Sequence, residues 1–163
     1  MKKVTLLIIG LLLITASNAQ EVPTQFSDKA LNDTFISTEG DKVKFKEILA
    51  EHQGNKILID VWASWCKDCI VGMPKLRMLQ EKFPEVSYVF LSLDKNKESW
   101  KKALDKYKLK GDHYYMKSGW KGKFGNFLQL NWIPRYLLIG EKGEILWFNA
   151  IEADDPNLIK ALQ

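Results

Sequence analysis

Between Lys56 and Trp62 the chain runs as a continuous apolar stretch broken by one acid, Asp60. A run of that length and composition suits a strand buried on both faces in the middle of a sheet. Directly after it come Trp65, Cys66, Lys67, Asp68 and Cys69, so the only two cysteines sit where a strand hands over to a helix. A helix N-terminus offers free N–H groups and the positive end of the dipole, which stabilise a thiolate on the first cysteine. The second lies one turn further on and can close a small disulfide ring. Two thiols so placed can exchange electrons with the disulfide of another protein.

The remaining segments supply the layers around that strand. Leu31–Phe35 reads as an edge strand, Glu39 to Lys42 as a turn, and Phe45, Ile48 and Leu49 as a short helix ending near Gly54. Cys69–Phe83 is predicted as a helix with Ile70, Met73, Leu76, Leu79 and Phe83 inward, kinked by Pro74 within it. Val86–Leu93 is a second buried strand and Lys97–Leu109 a second helix. The lysines of that helix (Lys97, Lys101, Lys102, Lys106 and Lys108) read as a solvated amphipathic face and not as an anion site. Gly111–Trp120 is expected to be irregular, and Trp120, Phe124, Phe127 and Leu128 to form a weak helix interrupted by Gly122 and Gly125. Tyr136–Ile139 and Ile145–Phe148 flank Gly140–Glu144 as a β-hairpin, and Asp155 with Pro156 opens a last helix, Asn157–Leu162. This order describes an α/β layered domain whose first two sheet strands are parallel.

At 163 residues, 46% hydrophobic and 27% charged, the chain has the size of one globular domain with a proper core. Residues 1–19 read as a secretory signal peptide: Lys2 and Lys3, the eleven-residue stretch Val4–Ile14, then small residues to Ala19, leaving Gln20 first after cleavage. The rival reading is an uncleaved membrane anchor, but that stretch contains Gly10 and falls short of the roughly 20 residues needed to span a bilayer. Residues 20–25 read as a linker and 26–163 as the domain. Loss of the leader lowers Lys+Arg from 24 to 22 against 20 acids, and a residual charge of +2 argues against a nucleic-acid partner.

Export changes how the cysteines are read, because a structural disulfide framework would use several cysteines at varied spacings. One close pair is a poor staple, since the entropic benefit grows with loop length. Reactivity explains the pair better. A zinc site would need two more ligands, and His52 and His113, the only histidines, form no local pair, so no metal is expected.

These residues resemble the thioredoxin superfamily, and more closely its exported TlpA/ResA-like thiol-disulfide oxidoreductases. The stretch Ile57–Cys66 followed by Cys69 is similar to the thioredoxin active-site signature. Pro74 stands where that family has its helix-kinking proline, and Trp132, Ile133 and Pro134 where it has the cis-proline loop. The resemblance implies a thioredoxin-like fold: a central mixed β-sheet flanked by helices, with an N-terminal extension and an insertion, Leu109 to Leu130, before the cis-proline loop. Two departures stand out. Lys67 and Asp68 replace Gly-Pro between the cysteines, and Arg135 replaces the usual Thr after the proline.

The resemblance also implies roles. Cys66 attacks a substrate disulfide and Cys69 resolves the mixed disulfide, with no cofactor beyond the redox-active Cys66–Cys69 pair. A carboxylate inside a buried strand is costly unless it works or is paired, and burial should raise the Asp60 pKa. By resemblance Asp60 takes and returns the Cys69 proton through a water; the alternative is a pair with Lys56. Pro134 should follow a cis bond, with the Ile133 backbone free to pair with an extended substrate segment. Trp65 should be a partly exposed lid beside Cys66, with Trp62 equally suited to plain core. Lys67 and Asp68 act on the Cys66 thiolate in opposite senses.

The function so implied is a periplasmic oxidoreductase that reduces protein disulfides, with apocytochrome c a candidate substrate. A membrane-embedded donor would supply electrons, because the periplasm is kept oxidising. A monomer is expected. Two alternatives stay open: an oxidase or isomerase of the same fold, and a redox-inert thioredoxin-like chaperone for a metal, haem or protein. Trp120, Phe124, Phe127 and Trp132 could line the binding surface of the latter or simply pack in the core. A thiol peroxidase would need a further resolving cysteine, and the chain has none.

Overall fold

The computed structural model describes residues 22–163. The leader expected over residues 1–19 and the start of the 20–25 linker lie outside the described residues. Along the chain, α1 (Asp28–Leu31), β1 (Thr34–Ile36), β2 (Lys42–Lys44) and α2 (Phe45–Glu51) precede β3 (Ile57–Trp62). There follow α3 (Lys67–Lys82), β4 (Ser87–Ser92), α4 (Lys97–Tyr107), β5 (Asp112–Tyr115) and α5 (Lys123–Phe127). The chain ends with β6 (Arg135–Ile139), β7 (Ile145–Ala150) and α6 (Pro156–Leu162).

The strands form one mixed sheet in the order β2-β1-β5-β4-β3-β6-β7. As its apolar composition requires, β3 is buried at all six positions, between parallel β4 and antiparallel β6. This is the central mixed sheet flanked by helices that the sequence implied.

Cross-strand partners share a face of a sheet, which sorts the layers. Asp60 is in register with Phe90 and Tyr136, and Phe90 with His113. On that face a Cβ at Gly72 of α3 would meet the Tyr136 hydroxyl at 3.4 Å, and Trp100 of α4 packs on Tyr115, whose centroid lies 5.9 Å away. Helices α3 and α4 therefore cover the Asp60 face. On the opposite face the Tyr114 hydroxyl donates to Glu51 of α2 at 3.0 Å, and Phe35 packs with Phe45 of α2 and Phe124 of α5. Phe26 closes that phenylalanine cluster.

Three expectations are corrected. Gly111–Trp120 is not irregular throughout: Asp112–Tyr115 pairs in parallel with Val89–Ser92 of β4. The outer edge of β4 carries backbone donors and acceptors that must be satisfied once buried, and tertiary pairing overrides the weak local propensity. The Leu109–Leu130 segment is thus built into the sheet at its start. Leu31–Phe35 is not an edge strand: Leu31 ends α1, capped by the Ser27 hydroxyl, while β1 lies between β2 and β5. The weak helix over Trp120–Leu128 shrinks to α5, because Gly122 serves as its N-cap and Gly125 lies against the Trp120 carbonyl, where no Cβ fits. No helix among the described residues is long and apolar enough to cross a membrane.

Candidate active site

Strand β3 ends at Trp62, and the loop Ala63, Ser64 and Trp65 delivers Cys66 as the N-cap of α3. Asp94, just past β4, fixes that loop. It accepts the Ser64 hydroxyl at 2.5 Å, the Ser64 N–H at 3.2 Å and the Ser92 hydroxyl at 2.8 Å. Helix α3 begins at Lys67, one residue after the cap, which brings Cys69 onto its first turn. Cys66 and Cys69 are joined in a disulfide, and the Cys69 N–H donates to Cys66 Sγ at 3.1 Å. One free N–H of the helix start is thus turned toward the first sulfur, where it would favour a thiolate.

Both cysteines are nearly covered, with Cys66 6% and Cys69 3% exposed. Trp65 beside them is 51% exposed, and Trp132 across the groove 58%. Between them a groove of about 390 Å³ opens onto Cys66, lined also by Lys67, Trp120 and Ile133. Ile133 and Pro134 are buried, the bond between them is cis, and the Ile133 carbonyl oxygen lies 3.6 Å from Cys66 Sγ. A second groove beyond Trp132 is lined by Asp68, Gly72, Lys75, Pro134, Tyr136 and Glu152.

Asp60 lies beneath α3, 5% exposed, with an oxygen that has no hydrogen-bond partner. Burial alone pushes its pKa up to about 8, so the carboxyl is largely protonated at neutral pH. The pairing with Lys56 is corrected: that ammonium donates to the Ala161 and Leu162 carbonyls at 3.1 and 3.0 Å, satisfying the free end of α6. The cross-strand neighbour Tyr136 has its own pKa pushed up, first by burial and then by the nearby Asp60. A buried carboxyl with no donor of its own, on the face covered by the cysteine-bearing helix, can hold or release a proton there.

Most of the residues singled out from the sequence gather at one end of the sheet: Cys66, Cys69, Trp65, Ile133 and Pro134, with Lys67 and Asp68 exposed on the first turn of α3. Pro74 lies on the exposed side of α3 and does not reach the pair. Trp62 is core, 1% exposed. The aromatic set Trp120, Phe124, Phe127 and Trp132 divides, with Phe124 and Phe127 packed on Phe26 and the two tryptophans in the groove. Sequence reasoning missed Asp94, whose signal was an acid directly after a buried parallel strand, and gave Arg135 no role. The Arg135 side chain is buried and donates to the Leu128 carbonyl at 3.0 Å and to Asn131 Oδ1 at 3.1 Å. Among the described residues no cluster of three or more His, Cys, Asp or Glu side chains could hold a metal ion.

A thioredoxin-like family profile matches residues 53–145. The thioredoxin-like protein YneN of Bacillus subtilis is 32% identical over 68 residues, covering 39% of this chain and 40% of that protein. The thiol-disulfide oxidoreductase ResA of Bacillus cereus is 27% identical over 104 residues, covering 63% and 58%. The chain thus spans about half the length of the curated relatives it matches. Among solved structures, a Bacteroides vulgatus protein provisionally named a thiol-disulfide oxidoreductase is 34% identical, with TM-score 0.65 over 79% of this chain and 82% of that one.

Proposed function

The chain belongs to the thioredoxin-like family, and from that premise we propose that it is an exported thiol-disulfide oxidoreductase working in the reducing direction. The observation that carries this reading is the Cys66–Cys69 pair at the start of α3, set against the Ile133–Pro134 loop at the floor of an open groove. The reduced Cys66 attacks a disulfide sulfur of the substrate, one substrate thiolate leaves, and a mixed disulfide forms. Cys69 then loses its proton and attacks Cys66 Sγ. That step forms the intramolecular disulfide and expels the second substrate thiol, so the two electrons of the pair pass to the substrate. Asp60, with its pKa near 8, is the group suited to take the Cys69 proton.

The reducing direction is supported by the surroundings of the first sulfur. A strong oxidant stabilises its reduced thiolate. Here Cys66 Sγ receives one N–H, from Cys69, and faces the negative end of the Ile133 carbonyl. Protein disulfides are the substrate class, apocytochrome c a candidate within it, and a membrane-embedded donor the supply of electrons. Export is supported by the charged, apolar and small-residue pattern of residues 1–19.

The test is a redox titration of residues 20–163 in thiol buffers, following Trp65 fluorescence, with Cys66→Ser as control. One two-electron transition below about −230 mV agrees with a reductant, and one between about −120 and −180 mV would make the protein an oxidant or isomerase. No transition dependent on Cys66 would remove the oxidoreductase reading and favour a binding module.

A further inference from the structure

Arg135 poses a physical question that the cysteine chemistry does not answer. Its side chain is buried, desolvation pulls its pKa down, and no acid pairs with it among the described residues. Burying an unpaired cation is unfavourable, so the guanidinium must be held by what it bonds. One terminal nitrogen donates to the carbonyl of Leu128 and the other to Asn131 Oδ1. Leu128 is the C-cap of α5, where free carbonyls and the negative end of the helix dipole favour a cation.

Those two bonds span a loop. It leaves α5 through Gln129 in the left-handed region at φ 50°, carries Asn131, Trp132, Ile133 and Pro134, and re-enters the sheet at Arg135, opposite Val61 of β3. The loop presents Trp132 to the groove and sets the Ile133 carbonyl against Cys66. Its backbone is otherwise tied at its start, where the Gln129 N–H donates to the Asn126 carbonyl at 3.1 Å and the Leu130 N–H to the Gly125 carbonyl at 3.0 Å. The forked guanidinium can engage two acceptors in one plane, which a single ammonium cannot reproduce.

We propose that Arg135 is a positioning residue that braces the 128–134 loop and so sets how tightly an extended protein substrate docks beside Cys66. This rests on the oxidoreductase reading and deepens it. Arg135 acts on docking first: both observed bonds are directed at the loop, and the cysteine pair is reached only through the Ile133 carbonyl, so its thiol–disulfide equilibrium should move far less than KM.

The experiment measures steady-state reduction of insulin disulfides by wild type, Arg135→Lys, Asn131→Ala and the double variant, with equilibration against glutathione as a second readout. Arg135→Lys is expected to raise KM for insulin about tenfold with kcat held within about twofold, the signature of lost docking. The glutathione equilibrium should stay within about twofold of wild type in every variant. Asn131 is exposed, so its variant folds even if Arg135→Lys does not. Its KM increase should vanish in the Arg135→Lys background if Asn131 acts through the guanidinium, whereas a direct substrate contact would persist. An unchanged KM in both single variants overturns the proposal. So does a glutathione equilibrium that moves as far as KM, since the arginine would then act on the sulfurs. A wild type without Cys66-dependent reduction removes the oxidoreductase reading and this inference with it, while wild-type turnover with unaffected variants removes the inference alone.

Discussion

Asp94 and Asp60 are each 5% exposed, yet their surroundings differ completely. Asp94 sits at the C-terminal end of β4 with its oxygens filled by Ser64 and Ser92, and those bonds hold the loop that delivers Cys66. Asp60 sits inside β3, between Phe90 and Tyr136, and has an oxygen with no partner. A buried carboxylate that is fully bonded stabilises the arrangement it ties together, whereas a bare one is a burden on the fold that a proton relieves. The contrast separates a residue that builds the site from one suited to move a proton in it.

The largest expected effect is on stability as a function of pH. An unfolded Asp titrates near 3.9 and folded Asp60 at about 8, so between those values the unfolded chain releases a proton that the folded chain keeps. Folding stability is therefore lost as pH rises through that window; below it both states are protonated and above it both are ionised. Asp60→Asn lacks this loss. Urea unfolding of the oxidised proteins should show a stability gap in favour of the variant that widens by about 3–5 kcal/mol from pH 4 to pH 8. A gap independent of pH would show that Asp60 titrates normally.

Asp94→Ala comes next. Removing this acceptor leaves the Ser64 and Ser92 donors without their partner, a loss of about 2–4 kcal/mol in the same unfolding assay. The Ser64 and Trp65 amides should exchange hydrogen faster in native-state measurements. Unchanged exchange there would mean that the loop is held by something other than Asp94.

The smallest effect belongs to the opposite face of the sheet. Phe124 packs with Phe26, Phe35 and Phe45, its ring centroid 4.5 Å from that of Phe45. Phe124→Leu should cost about 1–2 kcal/mol, with disulfide exchange per folded molecule unaltered. A matching loss of exchange would show that this cluster is coupled to the cysteines.

Legibility from sequence followed the reach of the signals. Strand β3 could be read because burial on both faces leaves an unbroken apolar run, and the cysteine pair because its chemistry is local. Strand β5 could not, because Asp112–Tyr115 has only one buried position and is a strand only by virtue of β4 beside it. Asp60 was recognisable as an acid in an apolar run, but its lack of a partner depended on Lys56 turning to the end of α6, 105 residues away. Arg135 and Asp94 act through partners 2 to 30 residues distant, and no spacing rule announces such bonds. The cis-proline loop was found only through resemblance.

The most direct test of the account is the rate at which Cys69 resolves a mixed disulfide on Cys66, measured by rapid quench from pH 5 to 9 in wild type and Asp60→Asn. If Asp60 accepts the Cys69 proton, the wild-type rate rises with pH through a midpoint near 8. Asp60→Asn should lack that midpoint, rising only as the Cys69 thiol itself ionises, and be slower at pH 8 by about 100-fold. Superimposable profiles for the two proteins would contradict the account and leave Asp60 a buried carboxyl without a part in the exchange.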